Sequence, residues 1–175
     1  MKIDIVSVFP EYFEVMNLGL MGKAQTKGLL EIKAHNLRDW THDVHHSVDD
    51  TPVGGGAGMV MKPEVWSECL DELLGFSRPS ESSALSGTPV LIFPNPSAPL
   101  FTQRDATELS HADHLLFGCG RYEGYDARIP DYYRSQGVDV REYSIGDYVL
   151  TGGELAACII ADSVIRWRSG GVGDA

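Results

Sequence analysis

The sequence predicts an α/β protein in which helices flank a mostly parallel sheet. Five short apolar runs have the length of buried strands, and segments with helical periodicity separate them. A glycine-rich segment follows directly after the run at residues 114–117, as loops do at the carboxyl edge of a parallel sheet. The chain of 175 residues is long enough to bury a core and short enough to form one domain of ordinary size.

Strands and helices are expected to alternate along the chain. Apolar residues cluster in five runs that we predict to be strands, at residues 3–8, 30–34, 90–93, 114–117 and 138–140. Helices are predicted at residues 10–16, 63–74, 102–109, 126–135 and 154–167. Pro63 suits a first helical turn, and Thr102 with Asp105 forms a capping-box pattern that fixes another helix start. The serine-rich stretch between Phe76 and Gly87 predicts a surface loop.

Charge and cysteine content argue against several classes of protein. The net charge is −11, from 25 acidic and 14 basic residues, which disfavours a protein that grips nucleic acid through nonspecific phosphate neutralisation alone. The three cysteines lie far apart and form no CxxC pair, so they suggest neither a disulfide framework nor a zinc site. No apolar run approaches the roughly 20 residues of a membrane-spanning helix. We therefore expect a soluble, cytoplasmic protein that has no membrane partner.

Two glycine-rich segments predict a pocket shaped by the backbone, GCGRYEGYD at residues 118–126 and EYSIGDYVLTGGEL at residues 142–155. Glycine lets a ligand approach main-chain N–H and C=O groups, and the apolar residues between the glycines offer a dry face. The first segment has one residue too many between its second and third glycines for a dinucleotide fingerprint, and residues 54–62 do not end as a P-loop does. The patterns favour an adenine-bearing ligand that is held mainly by backbone groups, with few charged contacts to phosphate. S-adenosylmethionine fits this description, although spacing alone does not identify it.

The loop at residues 38–62 contains a second candidate site. His42, His45 and His46 lie near aspartates and could be read as ligands of a metal ion. Because the adjacent His45 and His46 cannot easily point at one ion from a regular element, we favour an ordinary polar loop and predict no metal site. No serine or cysteine has the context of a nucleophile elbow, so acyl transfer is disfavoured.

Four motifs resemble those of the bacterial tRNA (guanine-N1)-methyltransferase family TrmD, in the SPOUT class of knotted methyltransferases. They are DIVSVFPEYF at residues 4–13, VDDTPVGGGAGMVMKP at 48–63, CGRYEGYDARI at 119–129 and SIGDYVLTGGEL at 144–155. The motifs follow the family's order, and the match runs nearly end to end. The resemblance implies transfer of a methyl group from S-adenosylmethionine to N1 of guanosine 37 of tRNA, next to the anticodon.

The resemblance also implies a deep trefoil knot in the C-terminal half, and a homodimer. Because true knots are very rare, the sequence pattern itself gives no reason to expect one. Loops at residues 93–96, 118–124 and 144–153 are expected to wrap the cofactor. The cofactor-binding residues implied by motif position are Phe93, Pro94, Asn95, Pro96, Gly118, Gly120, Tyr122, Glu123, Ser144, Ile145, Gly146, Asp147, Tyr148, Val149, Leu150, Gly152 and Gly153.

Catalytic and substrate-side residues follow from the same resemblance. Arg166 matches the family's catalytic arginine, and a loop on the tRNA side is matched by Asp50, Gly54, Gly55, Gly56 and Gly58. The family's general base, an aspartate, is expected beyond Ala175 and is followed in the family by a helical tRNA-binding domain. Residues 1–168 would then form the cofactor domain, and residues 169–175 would begin a linker. This chain is expected to bind the cofactor but to methylate tRNA poorly, and Mg²⁺ is an expected requirement of the activity.

Two alternatives stay open at the level of sequence. The chain could be a non-catalytic, dimeric module that binds cofactor or RNA; it departs from the family's usual pattern at residues 93–96 and at Ala156, where many members have proline. It could also be a SPOUT methyltransferase with another RNA target, which the matches at residues 4–13 and 48–63 disfavour. Arg166 and the intact SIGDYVLTGGEL loop favour the enzyme.

Overall fold

The computed structural model describes residues 1–50, 60–76, 87–121 and 124–168, without the side chains of Asp50 and Val60. The strands are β1 Lys2–Ser7, β2 Glu31–Asn36, β3 Asp49–Asp50, β4 Val60–Met61, β5 Val90–Pro94, β6 His114–Gly118 and β7 Val140–Tyr143. The α-helices are α1 Gly19–Thr26, α2 Pro63–Leu74, α3 Gln103–Leu109, α4 Arg128–Ser135 and α5 Glu154–Trp167. Two 3₁₀ helices occupy Pro10–Asn17 and Leu37–Trp40.

Five strands form one parallel sheet in the order β2-β1-β6-β5-β7. The predicted α/β class with a parallel sheet is therefore confirmed. β3 and β4 form a separate antiparallel pair in which Asp49 lies opposite Met61. Within the described ranges, no helix has both the length and the apolarity needed to cross a membrane.

Helices cover both faces of the sheet, and each face has its own buried cluster. Ile3 and Ile5 of β1 point to the face covered by α3 and α5, where Ile160 is fully buried. Val6 points to the opposite face, covered by α2 and α4, where Trp66 is also fully buried. This alternation follows from the two-residue period of a strand. A sheet buried on both faces leaves its carboxyl edge as the natural place for a ligand site.

Most predicted elements lie where they were expected, and the differences have local causes. The helices at residues 63–74 and 154–167 match α2 and α5 residue for residue, and the capping box of Thr102 and Asp105 is present at the start of α3. The segment at residues 10–16 is a 3₁₀ helix rather than an α-helix. β7 begins later than predicted, because the Val138 N–H donates to the carbonyl of Tyr133 and closes the turn after α4.

The loops that follow β5 and β7 are hydrogen-bonded to each other at the carboxyl edge. The Asn95 N–H donates to the Tyr143 carbonyl at 2.9 Å, and the Ser144 N–H donates to the Pro99 carbonyl at 2.9 Å. The Phe101 N–H donates a hydrogen bond to the Ser144 carbonyl at 2.7 Å. These contacts hold the two loops side by side. The trefoil knot remains a prediction from the resemblance.

Candidate cofactor-binding site

A pocket of about 370 Å³ lies at the carboxyl edge of the sheet, above β5, β6 and β7. Its volume is within the roughly 300–1,000 Å³ typical of small-molecule sites. Its wall is formed by residues 94–97, by residues 120–121 with 124–127, and by residues 142–153, with Ala156 in the first turn of α5. The predicted site residues among its lining are Pro94, Asn95, Pro96, Gly120, Ser144, Ile145, Tyr148, Val149, Leu150, Gly152 and Gly153.

Backbone contacts fix the loop after β7 against the loop after β6. The Gly153 N–H donates to the Gly120 carbonyl at 3.0 Å, and Arg121 and Gly152 form an isolated antiparallel bridge. The Ser144 hydroxyl accepts from the Gly146 N–H at 3.2 Å and donates to the Gly146 carbonyl at 2.9 Å. The turn that carries much of the pocket wall is therefore held by main-chain contacts, as the glycine-rich motifs predict.

Close packing explains two of the glycines in the motifs. A Cβ at Gly152 would lie 2.5 Å from Arg121 Nε and 2.7 Å from Glu154 Oε2, which leaves no room for a side chain. A Cβ at Gly118 would lie 2.5 Å from the Phe93 ring. Both positions need glycine because other atoms approach the backbone closely, rather than because the backbone has an unusual conformation.

A hydrogen-bonded carboxylate forms one side of the pocket. Glu142, at the end of β7, accepts from the Tyr125 hydroxyl at 2.6 Å, from Arg134 at 3.1 Å and from the Asn95 amide at 3.4 Å. Burial favours the neutral acid, but these donors more than offset it and hold the pKa of Glu142 below its usual value. The same contact and burial raise the pKa of Tyr125, so Tyr125 stays a hydrogen-bond donor. Glu142 therefore stays a carboxylate at the pocket wall, where it is paired with Arg134.

A second charged pair lies behind the glycine loop, which comprises residues 150–153. Arg121 Nε is 2.9 Å from Glu154 Oε1, and the Ser7 hydroxyl donates to the same oxygen at 3.1 Å. The side chain of Glu154 is only 1% exposed and that of Arg121 15% exposed. The Arg121 guanidinium also lies over the rings of Phe9 and Tyr12, at 4.8 and 5.3 Å from their centroids. Arg121 therefore contacts four other segments of the chain: the 3₁₀ helix after β1 with its preceding Phe9, Met61 of β4, the glycine loop and α5.

Several predicted site residues lie elsewhere. Phe93 is fully buried behind the pocket, where its ring packs on Tyr125 at a centroid distance of 4.6 Å, and Gly118 packs against it. Gly146 and Asp147 belong to the loop but are not among the lining residues. Other predicted site residues lie outside the described residues, namely Tyr122, Glu123, Gly54, Gly55, Gly56 and Gly58, as does the side chain of Asp50.

Arg166 does not line the pocket. It lies on α5, is exposed, and follows Glu154 by twelve residues, which places it about 18 Å further along the helix axis. At helical spacing it shares one face of α5 with Leu155 and Ile159, which are 51% and 49% exposed. Arg166 could therefore reach a pocket of this kind only if another surface were placed against this face.

The sequence prediction did not assign a role to Arg121, Tyr125 or Glu142, although all three line the pocket. Each falls within or beside a motif that was recognised for its glycines. A signal was present for Glu142, since an acidic residue at the end of a buried parallel strand points toward the ligand edge of the sheet. The contacts of Arg121 with Phe9 and Tyr12 join distant parts of the chain and could not be read from local pattern.

The described residues give little support to a nucleophilic cysteine or to a histidine metal site. Burial raises the pKa of Cys69, Cys119 and Cys158, so these thiols stay protonated and are poor nucleophiles. His42 Nε2 lies 2.8 Å from both carboxylate oxygens of Glu68 on the surface. Across the part of the chain that the structure describes, no group of three His, Cys, Asp or Glu side chains is arranged so that it could hold a metal ion.

A pocket walled by glycine-rich loops at the carboxyl edge of a parallel sheet is typical of α/β proteins that bind a small molecule. The family model for tRNA (guanine-1)-methyltransferase TrmD matches residues 1–175, and the chain belongs to this family.

Several curated relatives carry the name tRNA (guanine-N(1)-)-methyltransferase. One from Bifidobacterium longum subsp. infantis is 88% identical over 99% of this chain and 64% of its own length. Another from Cutibacterium acnes is 52% identical over 99% of this chain and 70% of its own length. A third from Thermobifida fusca is 50% identical over 99% of this chain and 63% of its own length. The chain thus spans roughly two thirds of the length of these relatives.

Proposed function

We propose that the pocket binds S-adenosylmethionine and that the protein transfers its methyl group to N1 of guanosine 37 in tRNA. The observation that carries the proposal is the pocket itself, whose walls are the loops of the family's motifs. Relatives named as tRNA (guanine-N(1)-)-methyltransferases support the enzyme over a non-catalytic binding module. The same motifs and the whole-chain match to the TrmD family favour guanosine 37 over another RNA target.

The residues of the pocket suit this cofactor. No cationic cluster of the kind needed for a phosphate lies among the described lining residues. Ile145, Val149 and Leu150 supply apolar contact. The fixed carboxylate of Glu142 complements the positive charges of a sulfonium and an amino group. When bound, S-adenosylmethionine would supply an electrophilic methyl group.

The protein's own residues would bind and orient the two substrates. Hydrogen bonds within the protein itself hold the loops at residues 94–101 and 144–153 side by side, so less conformational entropy is lost on binding. Arg166 is proposed to act on the guanine and on negative charge that develops in the reaction, as the resemblance implies. A guanidinium has five N–H donors and no acceptor, so Arg166 can serve only as a donor and a positive charge.

A homodimer would bring Arg166 to a pocket. The face of α5 that carries Leu155, Ile159 and Arg166 is exposed and partly apolar, and Val149 of the pocket loop is 81% exposed. Exposed apolar side chains that form a continuous face are typical of a subunit interface. We propose that a second copy of this chain covers this face, so that Arg166 of one subunit serves the pocket of the other.

Mixed dimers test this arrangement. In the natural protein that carries this sequence, an Arg166→Ala variant and a variant with a weakened pocket, Gly152→Ala, should each be strongly impaired alone at limiting cofactor. An equimolar mixture should regain up to about a quarter of the wild-type rate, since random pairing makes half the dimers mixed and each mixed dimer has one intact site. An Ile159→Glu variant should be monomeric by sedimentation and should lose activity. A fully active monomer would contradict the proposed dimer.

Methyl transfer itself is tested with the natural protein that carries this sequence. Radiolabelled methyl groups should enter a tRNA transcript with guanosine at position 37 and should not enter the matched transcript with adenosine there. Equal labelling of both transcripts would overturn the proposed target. An assay with and without Mg²⁺ decides the expected metal requirement. The cytoplasmic location, and the division into a cofactor domain at residues 1–168 and a linker from residue 169, also remain predictions.

A further inference from the structure

We infer that Arg121 and Glu154 form a positioning pair that holds the glycine loop in the shape the cofactor pocket needs. The inference rests on the proposed function, because it concerns the site at which S-adenosylmethionine would bind. In this role Arg121 is a positioning residue: its side chain holds the loop in place and takes no part in the methyl transfer itself. The glycine loop here means residues 150–153.

Burial makes the pair a fixed feature. The Glu154 carboxylate lies under the loop with 1% of its side chain exposed, and Arg121 Nε and the Ser7 hydroxyl both donate to its Oε1. A buried carboxylate that lost its guanidinium partner would be left with an uncompensated charge. The two side chains are therefore strongly constrained to stay together.

The pair also fixes the loop from two directions. Arg121 approaches the Thr151 carbonyl with its Nη1 at 3.5 Å, and its backbone pairs with Gly152. Glu154 starts α5 directly after the loop, so its anchoring fixes where the loop must end. The room at Gly152 is so limited that a single added Cβ would meet both members of the pair. Movement of either side chain would therefore change the position of the loop backbone at Gly152.

Two aromatic rings hold the guanidinium in place. Phe9 and Tyr12 lie against the Arg121 guanidinium, and the Arg121 side chain is only 15% exposed. Cation–π contacts of this kind stabilise the charged group and reduce its freedom. The FPEYF motif at residues 9–13 was recognised in the sequence only by resemblance. The structure gives a physical reason for it: Phe9 and Tyr12 hold Arg121, and Arg121 holds the glycine loop of the pocket.

Arginine variants with a matched control test the inference. Arg121→Met and Glu154→Gln should raise the Kd for S-adenosylmethionine by roughly tenfold or more, since a buried charged pair is broken beneath the binding loop. Arg121→Lys should recover part of the affinity, because it keeps the charge but not the planar contacts. The control is Arg168→Met, which removes an arginine clamp at the other end of α5, where Arg168 donates to the carbonyls of Ser110 and Ala112.

A second readout does not depend on the cofactor. In the ligand-free protein, amide hydrogen exchange at the Gly153 N–H should become faster in Arg121→Met, while the sheet amide of Leu91 stays protected. Arg168→Met should lower the Tm without changing either the Kd or the exchange rate at Gly153. Arg121→Lys and Glu154→Gln serve the same comparison if Arg121→Met does not fold.

The outcomes separate the inference from the proposed function. If the wild type fails to bind S-adenosylmethionine but loss of Arg121 frees the Gly153 amide, the proposed function fails and the positioning pair stands. If exchange at Gly153 is the same in wild type and Arg121 variants, the inference is overturned whether or not the cofactor binds. Equal effects of the Arg121 and Arg168 variants on Kd and exchange would also overturn it, since both would then act only through general stability.

Discussion

Replacing Asp4 with asparagine should destabilise the protein strongly, because Asp4 joins three strands of the sheet. Its two carboxylate oxygens lie 2.7 Å from His35 Nε2 on β2 and 2.6 Å from His114 Nε2 on β6. Only 6% of the Asp4 side chain is exposed. Asparagine can accept from one histidine but presents an N–H to the other unless the ring reorients. One charge-assisted hydrogen bond is lost, which corresponds to about 2–3 kcal/mol of unfolding free energy.

The effect should depend on pH in a defined direction. Burial favours the neutral acid, but the hydrogen bonds and charges of His114 and His35 hold the pKa of Asp4 well below its usual value. The stabilisation by Asp4 is therefore fully present above the unfolded-state pKa and is lost as the pH falls toward the folded-state pKa. The difference between wild type and Asp4→Asn should shrink by about 0.7 kcal/mol between pH 6 and pH 3.5.

Urea unfolding followed by circular dichroism measures this difference at each pH. Asp113→Asn is the matched control: Asp113 also pairs with a cation, Arg168, but its side chain is 90% exposed, so little change is expected. An Asp4→Asn variant as stable as wild type at pH 7 would refute the reasoning. So would a difference that grows on acidification, because that requires a raised rather than a lowered pKa of Asp4.

Two further substitutions test the pocket directly. Gly152→Ala would place a Cβ against Arg121 Nε and Glu154 Oε2; it should weaken S-adenosylmethionine binding and lower the unfolding free energy by about 1–3 kcal/mol, and unchanged calorimetric affinity would contradict the crowding. Tyr125→Phe removes the 2.6 Å hydrogen bond to Glu142 and should raise the pKa of that carboxyl. Cofactor affinity, measured across a pH series, should then begin to fall at a higher pH than in wild type; superimposable profiles would show that Glu142 does not contribute to binding through its charge.

The sequence predicted the elements whose ends carry a strong local signal. α2 begins at Pro63 and ends before Gly75, which has φ +82°, and both residues suit those positions on stereochemical grounds. α1 was not predicted, since it begins at Gly19 with φ +60° and contains Gly22, and both glycines weaken the helical pattern. The β3–β4 pair was missed because two-residue strands are too short to show a period.

The candidate site was predictable only where the backbone forms it. The glycine motifs indicated the loops at residues 118–126 and 142–155, and described residues of both loops line the pocket. The charges of the pocket were harder to predict, because Glu142 depends on Tyr125 and Arg134 from another segment of the chain. Arg166 illustrates the limit: the resemblance names it as catalytic, whereas its position on an exposed face of α5 shows that it does not line the pocket of its own chain.

Calorimetric titration of the folded chain with S-adenosylmethionine tests the central claim most directly. We expect saturable binding with one site per chain, and weaker binding by Gly152→Ala. Circular dichroism on the same samples establishes that each protein is folded. A folded wild-type chain that takes up no S-adenosylmethionine would contradict the claim that the pocket at the carboxyl edge of β5, β6 and β7 is a cofactor site.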